Sequence, residues 1–182
     1  MIPERLSRLR REMKQRRIDV YVVPTADFHE SEYVGAHFKA RSYITGFTGS
    51  AGTAIITMTE AGLWTDARYF LQAKHQLENT GVTLYRMGEE GVPTIMEYLR
   101  SALPEGGTLG FDGRVINARL GAEFLALAEE KNAKLAVGED LVGIIWDDRP
   151  ELPHAPVRIL TAEYSGRSTA DKLADVRAEM KK

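Results

Sequence analysis

Two polar groups of side chains in the first half of the chain are of types that can do chemistry. The first comprises Asp27, His29, Glu30 and Glu32, which stand in one short polar stretch. Carboxylates and imidazoles bind metals or move protons, but a catalytic zinc needs three well-placed ligands and proton transfer needs a reacting partner. As a general acid/base group they lack an identifiable nucleophile. The residues alone therefore leave two interpretations open, a solvated and capped loop or a functional edge that faces another domain or subunit.

The second polar group is Asp66, Arg68 and Tyr69. Asp66 is placed to cap a helix that starts at Ala67. Arg68 then lies just past a strand-to-helix turn, where side chains project from the end of a sheet. From there its guanidinium can pair with Glu32 or bind a peptide carboxylate at two points. The alternative is structural, with a capping aspartate, an exposed arginine and an anchoring tyrosine.

A glycine-rich run with the spacing Gly46, Gly49 and Gly52 invites comparison with nucleotide-binding loops. A phosphate loop needs a helix N-terminus after it, so that backbone amides and the helix dipole face the anion. Here a β-branched run follows at residues 53–58, which predicts a strand. The glycines therefore indicate a tight turn that feeds a strand close to neighbouring backbone.

Composition excludes several classes of function. The chain has 182 residues, 43% hydrophobic and 27% charged, which is typical of one globular domain. Without cysteine it has no disulfide or thiolate chemistry, and its four histidines form no paired metal-ligand motif. A net charge of −2 argues against general nucleic-acid binding. No apolar run approaches the ~18 residues of a membrane span, and the N-terminus lacks an apolar signal core, so we expect a cytoplasmic protein with no membrane partner.

Hydrophobic periodicity predicts alternating helices and strands. Because residues 53–65 form a hairpin, the expected fold is a layered α/β domain with a mixed sheet. A short helix is expected near residues 31–34, a strand-like segment at 157–160, and a last helix capped by Ser168. The remaining predicted helices cover residues 3–17, 67–77, 92–103 and 117–131, and the strands cover 19–23, 53–58, 62–65, 82–86, 108–111 and 134–137.

Three runs are too particular to be generic: PTADFHESEY, ITGFTGSAGTAII and LWTDARYFLQAK. Together they resemble the N-terminal domain of cytosolic Xaa-Pro aminopeptidases, the aminopeptidase P branch of the creatinase/prolidase family, peptidase family M24. A weaker likeness follows in LVGIIWDDRPELPHAP, and STADKLADVRAEM resembles the first helix of that family's second domain. The chain departs from the pattern at Ala67, where relatives usually carry glycine.

The resemblance implies a fold and a division of the chain. The fold would be a mixed sheet of about six strands flanked by helices, of the ribonuclease-H-like creatinase N-terminal type. Residues 1–148 would form this domain. Residues 149–167 would be a proline-rich linker and the start of a second domain, and residues 168–182 would be the truncated first helix of that domain.

The resemblance also implies a function. The chain would be the non-catalytic N-terminal domain of a metal-dependent hydrolase that removes the N-terminal residue from peptides with proline second. Two divalent metal ions, manganese in this interpretation, would lie in a C-terminal catalytic domain absent here, which leaves no metal site and no catalytic residue in this chain. The domain would shape substrate access and assemble a homodimer. The candidate substrate or subunit contacts are Arg68, Glu32, His29, Asp66 and Tyr69.

Two other functions stay open at this point. One is a creatinase-like binding module without peptidase activity. The other is a prolidase or creatinase relative, whose difference would lie in a pocket that this chain does not include.

Overall fold

A mixed sheet of six strands lies between two layers of helices in the first of two compact units, residues 1–152. The computed structural model describes all residues, 1–182. The strands are β1 (Val20–Pro24), β2 (Thr53–Thr57), β3 (Ala61–Thr65), β4 (Thr83–Arg86), β5 (Thr108–Phe111) and β6 (Lys134–Ala136). The helices of this unit are α1 (Ile2–Arg16), α2 (Ala40–Thr45), α3 (Phe70–Gln76), α4 (Ile95–Ala102), α5 (Ala118–Glu130) and α6 (Leu141–Ile145).

Strand β1 is the point at which the sheet changes direction. The strand order is β4-β3-β2-β1-β5-β6. On one side β1 pairs antiparallel with β2, which pairs antiparallel with β3, and on the other side it pairs parallel with β5. β1 and β3 therefore run the same way, and their carboxyl ends lie on the same edge of the sheet as the start of β2.

Both faces of the sheet are covered, because successive side chains of a strand point to opposite faces. Tyr21 and Val23 belong to the core that α1, α2, α3 and α6 cover, together with Leu9 and Met13 of α1. Val20 and Val22 belong to the second core, which α4 and α5 cover. The fold expected from the sequence, a mixed sheet of about six strands flanked by helices, is confirmed.

Two sequence predictions of local structure are wrong. Residues 31–34 form no helix. The chain instead makes a 3₁₀ turn at Ala36–Phe38 and then α2, a helix too short to show a clear apolar repeat. Residues 157–160 form no strand, and no neighbouring strand pairs with them. The helix predicted from Ala67 also begins with a 3₁₀ turn, Ala67–Tyr69, before α3.

The second compact unit covers Pro153–Lys182. It contains α7 (Ala162–Ser165) and α8 (Thr169–Glu179). The predicted cap is confirmed, because the Ser168 side chain accepts a hydrogen bond from the N–H of Asp171. None of the chain's helices combines the length and apolar composition that crossing a bilayer would need.

Tyr21 fastens the centre of the sheet to the segment that leads into α6. Its side chain is 2% exposed. The hydroxyl donates to the carbonyl oxygen of Glu139 at 2.8 Å and accepts from the N–H of Leu141 at 3.0 Å. Burial raises the pKa of the Tyr21 phenol, so it stays a neutral donor. The bond to Leu141 is buried and the bond to Glu139 is partly buried, so the N–H of Leu141 depends most on this hydroxyl.

We expect Tyr21→Phe to lower the free energy of unfolding by about 1–3 kcal/mol, because it leaves a buried N–H and a partly buried carbonyl without partners. The measurement is urea unfolding at neutral pH. Tyr85→Phe is the matched control, since the Tyr85 ring stacks on Trp64 and its hydroxyl makes no hydrogen bond. That control should change stability by no more than about 0.5 kcal/mol. Equal losses in the two variants would contradict the assigned role of Tyr21.

Candidate functional site

Members of both polar groups singled out in the sequence lie at one edge of the sheet, where β1 and β3 end and β2 begins. A cleft of about 420 Å³ lies there, which we call the strand-end cleft. Its walls come from the loop after β1, the glycine loop before β2 (residues 46–52) and the turn after β3, and Met87 and Ile95 also line it. Glu32, Asp66 and Arg68 all line it. The sheet topology thus brings together residues more than thirty positions apart in the sequence.

Arg68 is held by Asp66. It makes no hydrogen bond to Glu32, the partner suggested by the sequence. Its Nε and Nη2 donate to the two carboxylate oxygens of Asp66 at 2.8 and 2.9 Å. Asp66 also caps the turn, accepting from the backbone N–H of Arg68 at 3.1 Å. The guanidinium lowers the pKa of the Asp66 carboxyl, and the carboxylate raises the pKa of Arg68. The pair fixes the direction of Arg68 and leaves Nη1 without a hydrogen bond in the structure.

The acidic loop after β1 does not form a compact constellation. Asp27 turns inward on its own loop and accepts from the backbone N–H of His29 and of Ser31, which lowers its pKa. Glu30 accepts from the Asn117 side chain. His29 is exposed and does not line the strand-end cleft. No group of three His, Cys, Asp or Glu side chains is arranged to hold a metal ion in the chain.

Glu32 is the one member of that loop with a free carboxylate at the cleft. It is exposed and accepts no hydrogen bond, and it lines both the strand-end cleft and a second cleft beside it. This second cleft, of about 410 Å³, lies between the loop after β1, α2 and the glycine loop, and we call it the loop cleft. Glu32 therefore stands at the ridge that separates the two clefts.

Tyr69 supports the glycine loop from the side of α3. Its hydroxyl shares a hydrogen bond of 2.6 Å with the Ser50 hydroxyl, and its ring meets the edge of Phe47 at a centroid distance of 5.7 Å. Ala67, at the usual glycine position, does not have a positive φ. The alanine therefore introduces no backbone strain at the turn that carries Arg68.

Arg41 also holds the glycine loop, through hydrogen bonds to its backbone carbonyls. This residue was not identified from the sequence. It lies on α2 and is 4% exposed. Nε donates to the Thr25 hydroxyl at 3.0 Å, and the two Nη atoms donate to the carbonyl oxygens of Phe47 and Gly49. Burial lowers the pKa of Arg41 to about 10. The available signal was its spacing from Ile44 and Thr45, which places a cation on the buried face of a short helix.

The loop also needs one of its glycines for close packing. A Cβ on Gly52 would lie 2.9 Å from the carbonyl oxygen of Trp64, a backbone atom that cannot move aside. The Gly52 carbonyl in turn accepts from both the N–H and the hydroxyl of Thr25. The strand that was predicted to follow the loop is present as β2, where a phosphate-binding loop would need a helix N-terminus.

We expect the pKa of Asp66 to lie below its ordinary value and to rise in Arg68→Gln, because the guanidinium favours the ionised carboxyl. Any stability that the pair confers is present above the ordinary carboxyl range and is lost as pH falls through the depressed pKa. Carbon-13 NMR of the side-chain carboxyls against pH measures this. Asp27 is the internal control, since backbone N–H groups lower its pKa. An Asp66 midpoint that does not move in the variant would contradict the ion pair.

Two curated fungal relatives match almost the entire chain. A probable Xaa-Pro aminopeptidase P of Aspergillus niger is 43% identical over 180 residues, covering 97% of this chain and 29% of the relative. One from Talaromyces marneffei is 44% identical over 180 residues, covering 98% of this chain and 27% of the relative. The chain thus spans less than a third of the length of the curated relatives it matches.

A solved structure shows the same fold. The crystal structure of X-prolyl aminopeptidase from Caenorhabditis elegans, a cytosolic enzyme with a di-nuclear active site, matches with a TM-score of 0.86 and 29% identity. The match covers 100% of this chain and 31% of the nematode chain. The family model of the creatinase/prolidase N-terminal domain matches residues 5–143, the part that contains the sheet and both clefts. The chain therefore belongs to the creatinase/prolidase N-terminal domain family.

Proposed function

We propose that the chain is the non-catalytic N-terminal domain of a metal-dependent Xaa-Pro aminopeptidase and that its edge clefts shape substrate access and subunit assembly. The observation that carries the proposal is the near-complete coverage of this chain by aminopeptidases P at 43–44% identity. The enzyme of which it forms part would remove the N-terminal residue from peptides with proline second. Residues 149–182 would lead from this domain into the next.

The chemistry would be supplied by another domain of the same polypeptide. The nematode relative is described as having a di-nuclear active site, and this chain matches only 31% of that protein. The acidic and histidine side chains of this chain do not gather into a ligand set. We therefore propose that two divalent metal ions, of manganese type, bind outside residues 1–182. When bound, such ions activate water and polarise the scissile carbonyl.

The strand-end cleft suits a contact surface better than a reaction centre. Arg68 is 68% exposed in its side chain, so its guanidinium is presented to whatever lies above the sheet edge. Asp66 neutralises its charge and fixes its orientation, and Nη1 stays available as a donor. Glu32, in the loop after β1, supplies an unpaired acceptor that lines the same cleft. A peptide, or a second subunit of the proposed cytoplasmic homodimer, can be aligned by one fixed donor and one acceptor.

His29 remains a candidate contact of a different kind. It does not line the strand-end cleft, so it cannot act on a group bound there without a movement of its loop. It is exposed and stands next to Glu30 in the loop after β1. We propose it as a subunit contact, and we propose Tyr69 as support for the glycine loop because its hydroxyl is engaged by Ser50.

We expect residues 1–182 to fold but not to release arginine from Arg-Pro-Pro, while the full-length protein does so with added manganese. The physical reason is that no ligand set for the metal ions is formed by this chain. Chelation with EDTA should remove the activity of the full-length protein. Release of arginine by the pure chain above its EDTA-treated control would refute the non-catalytic assignment.

We expect Arg68→Ala to lower peptide turnover by the full-length enzyme by about tenfold or more, the loss of roughly one charge-assisted hydrogen bond. In residues 1–182 the same change should leave the melting temperature within about 2 °C, because the side chain is exposed. Arg119→Ala is the matched control, since Arg119 is an exposed arginine paired with Glu123 and lies on α5 away from the clefts. Equal effects of the two variants on turnover would contradict the proposed contact role.

A further inference from the structure

Arg41 is the one basic side chain inside the core of the chain, and its charge has no acidic partner. It is 4% exposed, and the three groups that accept its hydrogen bonds are a hydroxyl and two carbonyls, all neutral. No carboxylate lies within ion-pair distance of Arg41, whereas the partly buried Arg149 is paired with Asp140. Buried cations are normally neutralised, because desolvating an unpaired charge is costly. Arg41 thus keeps an uncompensated positive charge at the floor of the loop cleft.

At the same place, the glycine loop adds backbone N–H donors that have no acceptor. The backbone N–H groups of Gly49, Ser50 and Ala51 donate to no acceptor in the protein, whereas those of Phe47 and Thr48 are bonded to side chains. Gly49 and Ser50 line the loop cleft together with Arg41. Successive free amides in a turn form a concave site for an anion.

The charge around the loop cleft favours a small anion. Lys39 stands at its exposed rim and its ammonium group makes no hydrogen bond, while Glu32 is the only acid that lines it. A cleft of about 410 Å³ can take a carboxylate and a few attached atoms. A strand follows the loop, so no helix dipole adds to the site. Phosphate-binding loops usually have such a dipole, and its absence here favours a carboxylate over a phosphate.

We propose that the loop cleft binds a carboxylate group, which Arg41 holds from below and the amides of Gly49 and Ser50 hold from the side, with Lys39 at the rim. The ligand class is a carboxylate of a polypeptide, either its C-terminus or an aspartate or glutamate side chain. This site differs from the strand-end cleft, where the arginine, Arg68, is already paired with Asp66. Carboxylate binding at this site does not require peptidase activity. Its test is therefore independent of the test of the proposed function.

The test is a titration of the nitrogen-15-labelled chain, residues 1–182, with sodium acetate at constant ionic strength, set against sodium chloride alone. The signals followed are the amides of Gly49 and Ser50 and the Nε–H of Arg41. We expect saturable shifts of these signals with acetate and none with chloride. Shifts no larger than those with chloride, or equal shifts spread over the whole surface, would overturn the proposal.

A pair of lysine variants keeps the test independent of folding defects. Lys39→Gln removes a rim charge whose side chain supports no hydrogen bond, and we expect it to weaken acetate binding at least about threefold. Lys74→Gln is the matched control, an exposed lysine on α3 that lines neither cleft, and should leave binding unchanged. Equal affinities in the two variants would overturn the assigned location.

Three short peptides distinguish the sources of the carboxylate. Acetyl-Ala-Ala offers a C-terminal carboxylate, acetyl-Glu-amide offers a side-chain carboxylate, and acetyl-Ala-Ala-amide offers neither. We expect one or both acids to shift the Gly49 and Ser50 signals, and the tighter of them identifies the source. Equal binding of the neutral amide would show that apolar contact drives the shifts and would overturn the proposal.

Discussion

The position of β1 at the centre of the sheet is the constraint on which the candidate site depends. It is buried on both faces and pairs antiparallel with β2 but parallel with β5. A one-residue slip of this strand would exchange Tyr21 and Val23 with Val20 and Val22 between the two cores. The register is therefore fixed, and with it the place where the chain leaves the sheet at Thr25, which bonds to both Gly52 and Arg41.

Two arginines close to this exit have opposite electrostatic situations. Arg68 is exposed and carries its own counter-ion in Asp66, so it is a fixed but neutralised donor. An ion pair of this exposure adds little to folding stability, because water and salt screen it. Arg41 is buried and is solvated by backbone carbonyls of the glycine loop. Its hydrogen bonds join α2, the end of β1 and the loop, so the shape of both clefts depends on a group that no apolar pattern reveals.

Long, regular elements could be predicted from the sequence because their side chains repeat with one period. The β2–β3 hairpin and α4, which begins at a Thr94–Glu97 capping box, lie within or close to their predicted ranges. The helices α2 and α6 could not be predicted in this way, since six and five residues hold too few turns to show an apolar repeat. The expected pair of Arg68 with Glu32 does not form, for a local reason. The capped turn already places the Asp66 carboxylate 2.8 Å from Arg68 Nε, and a neighbour two residues away is reached at less entropic cost than a distant loop.

The role given to Arg41 is tested most directly in the unaltered chain, by the rate at which the Nε–H protons of individual arginines exchange with water. A buried guanidinium whose Nε donates to Thr25 should be shielded from solvent. We expect its Nε–H to exchange at least about tenfold more slowly than that of Arg68, which is bonded but exposed. Exchange of Arg41 as fast as that of Arg68 would show that the guanidinium is not enclosed beneath the glycine loop, and would contradict the account of how the clefts are formed.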